Sequence, residues 1–142
     1  MKRAVLYVRV SSKEQTEGNS LETQERICTD YALRNKFEVD RVFIERGESA
    51  KTTDRTELKN LLEYVAQNHK DLDGVIVYKV DRLARVAFDY ATLKIFFNKY
   101  GLKLLSASET LEETPVGRYV ETILAGTAQL DNEVRTERSV NG

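Results

Sequence analysis

Arg3-Ala4-Val5-Leu6-Tyr7-Val8-Arg9-Val10, followed at once by Ser11-Ser12, is β-branched and aromatic enough for a buried strand that ends in two hydroxyls. Side chains on a strand alternate between faces, so Tyr7, Arg9 and Ser11 point one way while Val8, Val10 and Ser12 point the other. Ser11, rather than Ser12, therefore shares a face with Arg9. Ser11 to Asn19, polar and containing Gly18, reads as the loop that follows the strand.

Working outward, Asn19 or Ser20 caps a helix that runs to about Asn35, and Phe37 to Ile44 reads as a second strand. A polar loop, Glu45 to Thr53 with Gly47, comes next. Asp54 with Glu57 three residues on is a capping-box-like start, and Leu58, Leu61, Leu62 and Val65 form an apolar stripe at helical spacing. Gly74 to Val80 is a continuous apolar run suited to a strand covered on both faces, and it ends at Asp81-Arg82-Leu83-Ala84-Arg85. Phe88 to Tyr100 predicts a helix stopped by Gly101, and Leu102 to Ala107 a fourth strand. A polar, acidic loop leads to Pro115, where the first turn of a helix tolerates it. Strands alternating with helices predict an α/β fold, a mainly parallel central sheet flanked by helices.

The last segment has a different period. Val116, Val120, Ile123, Thr127, Leu130 and Val134 are spaced 4, 3, 4, 3, 4, the seam of a coiled coil rather than the broader stripe of a helix lying on a sheet. Ala125, Gly126 and Ala128 keep that helix thin, which suits close approach of a partner. The expected organisation is a core over residues 1–115 and a long C-terminal interface helix beginning at 116. The alternative is that this helix packs on its own domain.

With 142 residues the chain is one domain with a sizeable core, and its 41% hydrophobic and 32% charged composition is that of an ordinary globular protein. No apolar stretch approaches the roughly 20 residues of a membrane span, and no signal-peptide core is visible, so a cytoplasmic protein with no membrane partner is expected. Cys28 is the sole cysteine and His69 the sole histidine, which leaves no Cys/His zinc cluster and no start for a histidine triad. Cys28 reads as a small buried thiol on its helix, and His69 as solvent-facing. Twenty-two basic against 23 acidic side chains give a net charge of −1, so placement rather than total charge has to carry any case for nucleic acid.

In a parallel sheet the carboxyl ends of the strands lie on one edge, and ligands bind beyond them. Arg9 and Ser11, Glu45, and Asp81 with Arg82 and Arg85 all fall at such ends, with Arg55 near the start of its helix. Guanidinium forks match phosphate oxygens bidentately, and several could hold a phosphodiester. A serine hydroxyl needs a base or nearby positive charge as its proton leaves, and the arginines offer the second route. Asp81 and Glu45 suit either proton transfer or holding the arginines; spacing does not separate those roles. Ser11 displacing a sugar oxygen would leave a phosphoserine ester of energy similar to the bond broken, a step reversible without ATP. Two other readings compete: a receiver-type signalling domain, which Arg9 in place of an acidic pocket opposes, and a metal-dependent nuclease built on Asp81, Glu45 and Asp54. A third is a catalytically dead scaffold that only dimerises.

These same residues resemble the catalytic domain of the serine recombinases, the resolvase/invertase family, over nearly the whole chain. Tyr7-x-Arg9-Val10-Ser11 is similar to the family's nucleophile motif, Gln15 and Gln24 fall on its glutamines, and Asp54-Arg55 and Asp81-Arg82-Leu83-x-Arg85 follow at matching spacing. The resemblance implies that Ser11 attacks a DNA phosphate, leaving a 5′-phosphoserine link and a free 3′-hydroxyl, with no metal or other cofactor. It implies active-site arginines at 9, 82 and 85, support from Arg55, Glu45, Asp81, Gln15 and Tyr7, and DNA contacts from Gln24 and Arg138. The segment from Val116 to Arg138 resembles the start of the interface helix through which family dimers form and synaptic tetramers assemble on double-stranded DNA. Glu137-Arg138 fits that motif, whereas Asp131-Asn132 stands where an acidic-arginine pair is common, and Glu45 stands where many members have Asp. Ser20-Leu21-Glu22-Thr23-Gln24 looks more like the large integrases and transposases than the small resolvases, and the family's separate DNA-binding region is expected outside this chain.

Overall fold

Four parallel strands, β1 (Lys2–Val10), β2 (Phe37–Arg46), β3 (Gly74–Val77) and β4 (Lys103–Ser106), form one sheet in the order β2-β1-β3-β4. This computed structural model describes residues 1–10, 20–46, 56–79, 87–109 and 114–141. Between the strands run helices α1 (Leu21–Arg34), α2 (Thr56–Asn68) and α3 (Ala87–Lys99), and α4 (Pro115–Asn141) closes the chain. The alternation expected from the sequence is the architecture observed.

The helices divide unevenly between the two faces. Ala4, Leu6 and Val8 of β1 pack with Phe37, Ile76 and Tyr78 against Cys28 and Ala32 of α1. Val5 and Tyr7 face the other way, into a larger core with Phe43, Val75, Val77, Leu58, Leu61 and Val65 of α2, Tyr90 and Phe97 of α3, and Val120 of α4. Apolar burial of roughly 25 cal/mol per Å² holds both layers, and the two inner strands, β1 and β3, are shielded on both faces.

Local signals place the helix ends. Ser20, in extended conformation, accepts a hydrogen bond from the Thr23 amide and caps α1. Gly101, at φ +79°, ends α3: the Leu102 amide reaches back to the Phe97 carbonyl (2.9 Å) and the Gly101 amide to that of Asn98 (3.0 Å), a Schellman stop that needs the left-handed residue. His69 departs from its expected exposure, because its ring lies 4.9 Å from that of Tyr100 and its Nδ1 is 3.2 Å from the Ala66 carbonyl.

One irregularity governs the rest. Along β1 and β2, Ala4 pairs with Val39 but Val5 pairs with Arg41, so Asp40 is an extra residue on the edge strand. Asp40 accepts from the Tyr64 phenol and forms an ion pair with Arg3 (3.1 Å), and Arg41 beside it lies over the rings of Phe43 and Tyr64 at 5.0 and 5.1 Å. Side-chain parity inverts across the extra residue. Phe37 and Val39 face α1, whereas Phe43 faces α2.

Two acids hold their protons above their ordinary range. Burial first, and the neighbouring Glu25 second, push the Cys28 thiol from 9.0 up to about 12, so it stays a neutral core group. The Tyr64 phenol is raised chiefly because its proton is donated to Asp40. Between about pH 9 and 12 the unfolded chain releases protons that the folded chain keeps, so stability falls as pH rises. The expected result is a lower urea midpoint at pH 10.5 than at pH 8; equal midpoints would contradict it.

The first turns of the C-terminal helix pack within the chain itself. Val120 is fully buried in the chain's own core, and Lys94 of α3 pairs with Glu121. The assignment of Val120 to an intermolecular seam is therefore corrected: its side of the first turns is already occupied by α3. Tyr119, beside Val120 but on the outer side, is 60% exposed, and Leu130, further along, is 59% exposed. Val120→Ala is expected to lower stability by about 2–3 kcal/mol. Leu130→Ala is expected to change it by less than about 0.5 kcal/mol. Urea unfolding checks both.

Candidate active site at the carboxyl edge of the sheet

Because all four strands are parallel, their carboxyl ends share one edge, and Val10, Arg46, Val77 and Ser106 mark it. Arg9 stands in register with Glu45 on the neighbouring strand, as Tyr7 does with Phe43. In a parallel pair such partners share a face, so Tyr7, Arg9, Phe43 and Glu45 lie on the side covered by α2 and α3. Glu45 and Arg46 belong to the strand itself, not to the loop expected there.

Glu45 is 6% exposed, and donors meet its carboxylate from two directions. Tyr7 donates its phenol to Oε1 (3.3 Å), and the amides of Glu57 and Leu58, in the first turn of α2, donate to Oε2 (3.2 Å) and Oε1 (3.4 Å). A buried carboxylate is costly unless it is hydrogen-bonded, and the partial positive charge of a helix start suits it. The cap of α2 thus comes from the end of β2, the strand that precedes it. Glu57 accepts from the side chain of Asn60 (3.2 Å), and Asp54, its expected partner in a local capping box, lies outside the described residues.

Gln24, expected on the DNA surface, is fully buried, and its Nε2 donates to the carbonyl of Arg9 (3.1 Å). That carbonyl lies beyond the point where β3 stops pairing with β1, at Tyr7 and Val77, so α1 supplies a donor where the neighbouring strand has ended. The direct-contact assignment of Gln24 is corrected to a buried clamp on the end of β1. Its spacing with Cys28 and Ala32, four and eight residues on, was the signal that it faces the core. On the far side, Ser106 donates to the Tyr78 carbonyl (3.0 Å) and ties the ends of β3 and β4 together.

Ser11, Gln15, Arg55, Asp81, Arg82 and Arg85 lie outside the described residues, as do the side chains of Val116, Thr127 and Arg138. The described residues fix where the segments bearing the first six leave the sheet: residues 11–19 follow β1, 47–55 follow β2, and 80–86 come three residues after β3. Of the expected site residues, Tyr7, Arg9 and Glu45 are brought together at this edge.

Against known proteins, a family described as the resolvase N-terminal domain matches residues 4–142. The chain belongs to that family. Among curated relatives, the resolvase of transposon Tn917 from Enterococcus faecalis is 26% identical over 137 residues, and the DNA-invertase of Enterobacteria phage P7 is 28% identical over 137. Each alignment covers 96% of this chain and 66% of the relative, so the resolvase-family domain spans just under two thirds of those proteins. Among solved structures, the N-terminal catalytic domain of TP901-1 integrase superposes with a TM-score of 0.69 at 28% identity, covering 94% of this chain and 98% of that one. The C-terminal catalytic domain of ISC1926 TnpA, an IS607-like serine recombinase, gives 0.61 at 29% identity over 93% and 84%. This resolvase-family domain is therefore similar to integrase, invertase and transposon proteins at nearly equal identity, and overall identity does not select among those subgroups.

Proposed function

We propose that this domain is the catalytic part of a site-specific DNA recombinase in which Ser11 is the nucleophile. Its Oγ attacks a backbone phosphorus of double-stranded DNA; the Oγ–P bond forms, the P–O3′ bond breaks, and the serine proton is lost as the leaving 3′-oxygen gains one. The product is a 5′-phosphoserine ester and a free 3′-hydroxyl, and attack by a 3′-hydroxyl after strand exchange reverses the step. Arg9, Arg82 and Arg85 bind the phosphate and stabilise charge on the pentacovalent phosphorus, with Arg55, Gln15 and Asp81 supporting them. The observation that carries this reading is the half-buried Arg9 at the shared carboxyl edge, next to the origins of the segments bearing the other groups.

A nuclease in which Glu45 ligates a metal fits less well, because both carboxylate oxygens already accept N–H or O–H donors. A receiver-type acidic pocket is opposed by Arg9 at the end of β1. The proposed assembly is a homodimer that pairs into a synaptic tetramer, with the exposed stretch of α4 around Leu130 as the contact and Arg138 toward DNA. No helix among the described residues is long and apolar enough to cross a membrane, and the proposed site of action is the cytoplasm.

The test is to incubate the intact protein with a duplex carrying its crossover site, mismatched at the centre so that religation stalls. A protease-sensitive adduct on the 5′ end, formed equally well in excess chelator, is the expected product. An adduct-free, chelator-sensitive cut would favour the nuclease.

A further inference from the structure

The sequence leaves Glu45 with two possible jobs, moving a proton or holding other groups in place, and the structure separates them. Three donors are described at its carboxylate, the Tyr7 phenol and two backbone amides of one helix turn, and the amides have no proton to give up in a phosphoryl transfer. The turn that receives the carboxylate begins at Thr56, one residue after Arg55. Tyr7 and Glu45 sit on adjacent strands, so the link runs from the middle of the sheet to the start of α2. Glu45 is also the most buried acidic side chain among the described residues.

We infer that Glu45 is a positioning residue: Tyr7 holds its carboxylate, the carboxylate pins the first turn of α2, and that turn follows directly on Arg55, proposed above to act at the phosphate. The last step rests on the recombinase reading above; the pinning of α2 does not. A carboxylate in this place also explains why the acid is buried at all. Asp at the same position, one methylene shorter, would have to draw α2 toward β2 to keep both amides.

Two measurements on the intact protein test this. In free protein, Glu45→Gln is expected to speed hydrogen exchange of the Glu57 and Leu58 amides about tenfold, the usual scale of a lost cap, and Tyr7→Phe to speed it less. In the adduct assay, both variants are expected to lower the cleavage rate while the pH–rate profile keeps the parent's shape, because no titrating participant has been removed. Glu45→Asp is expected to recover part of the rate. Unchanged exchange at Glu57 and Leu58 in both variants would overturn the pinning. A pH–rate profile that loses an ionisation in Glu45→Gln but not in Tyr7→Phe would overturn the positioning role in favour of proton transfer. A parent protein that forms no Ser11-linked adduct would instead overturn the recombinase reading and the link to Arg55, with the exchange result still deciding the cap.

Discussion

Ser11→Ala is expected to abolish the covalent protein–DNA adduct, leaving none detectable under conditions where the parent converts most of a stalled substrate. Without the hydroxyl there is no atom to form the bond to phosphorus, and positioning by the arginines has nothing to act on. Noncovalent binding of the same duplex should persist, because phosphate neutralisation by basic side chains supplies most of such affinity. Arg9→Lys should give an intermediate result. It keeps a charge but loses the two-pronged geometry, and a rate drop on the order of 100- to 1,000-fold is the usual consequence of losing one oriented donor at a developing charge. Denaturing electrophoresis of end-labelled DNA reads the two adduct outcomes, and a native gel shift reads the noncovalent binding. An adduct that survives Ser11→Ala and vanishes in Ser12→Ala would move the nucleophile to the next residue.

Deleting Asp40 is expected to leave the domain folded, with both cores intact. The residue is the extra one on β2, and without it Val39 and Arg41 follow one another opposite Ala4 and Val5 with the facing they already have. Phe37 and Val39 stay against α1, and Phe43 and Glu45 stay on the side of α2. What is lost is the link of Asp40 to Arg3 and Tyr64. Asp40→Ala separates register from chemistry. It keeps the count of residues and removes only the links to Arg3 and Tyr64, of which the Arg3 side chain is 45% exposed, so a loss of roughly 1 kcal/mol is expected. Circular dichroism and urea unfolding of the two variants give the comparison. Unfolding of the deletion variant alone would show that the bulge itself, and not only the facing of the side chains, is required.

Most of the architecture is legible in the chain because it is written in local chemistry. The β-branched run from Arg3 to Val10, the leucine stripe from Leu58 to Val65, Ser20 before a helix and Gly101 after one each act within a few residues of themselves, and each stands where the sequence places it. The order of those elements then leaves a parallel sheet as the economical arrangement, which is why the edge bearing Arg9 could be named in advance. The long helix was legible as a helix but not in its contacts. A 4-3 spacing reports that one stripe is covered, not by what, and α3 of the same chain covers its beginning.

What the sequence by itself determined, then, is the set of elements, their order, and the edge at which Tyr7, Arg9 and Glu45 gather. Tertiary structure alone decided which face Glu45 occupies and what it touches. Simple alternation from Phe37 puts residue 45 on the α1 side, and only the unpaired Asp40, stabilised by Arg3 from the next strand and Tyr64 from α2, reverses it. The same holds for Gln24, whose amide meets a carbonyl fifteen residues back because β3 ends too soon to meet it. Strand parity and hydrogen-bond partners at this edge depend on groups far apart along the chain, and the energies that choose between the alternatives exist only once those groups are in contact.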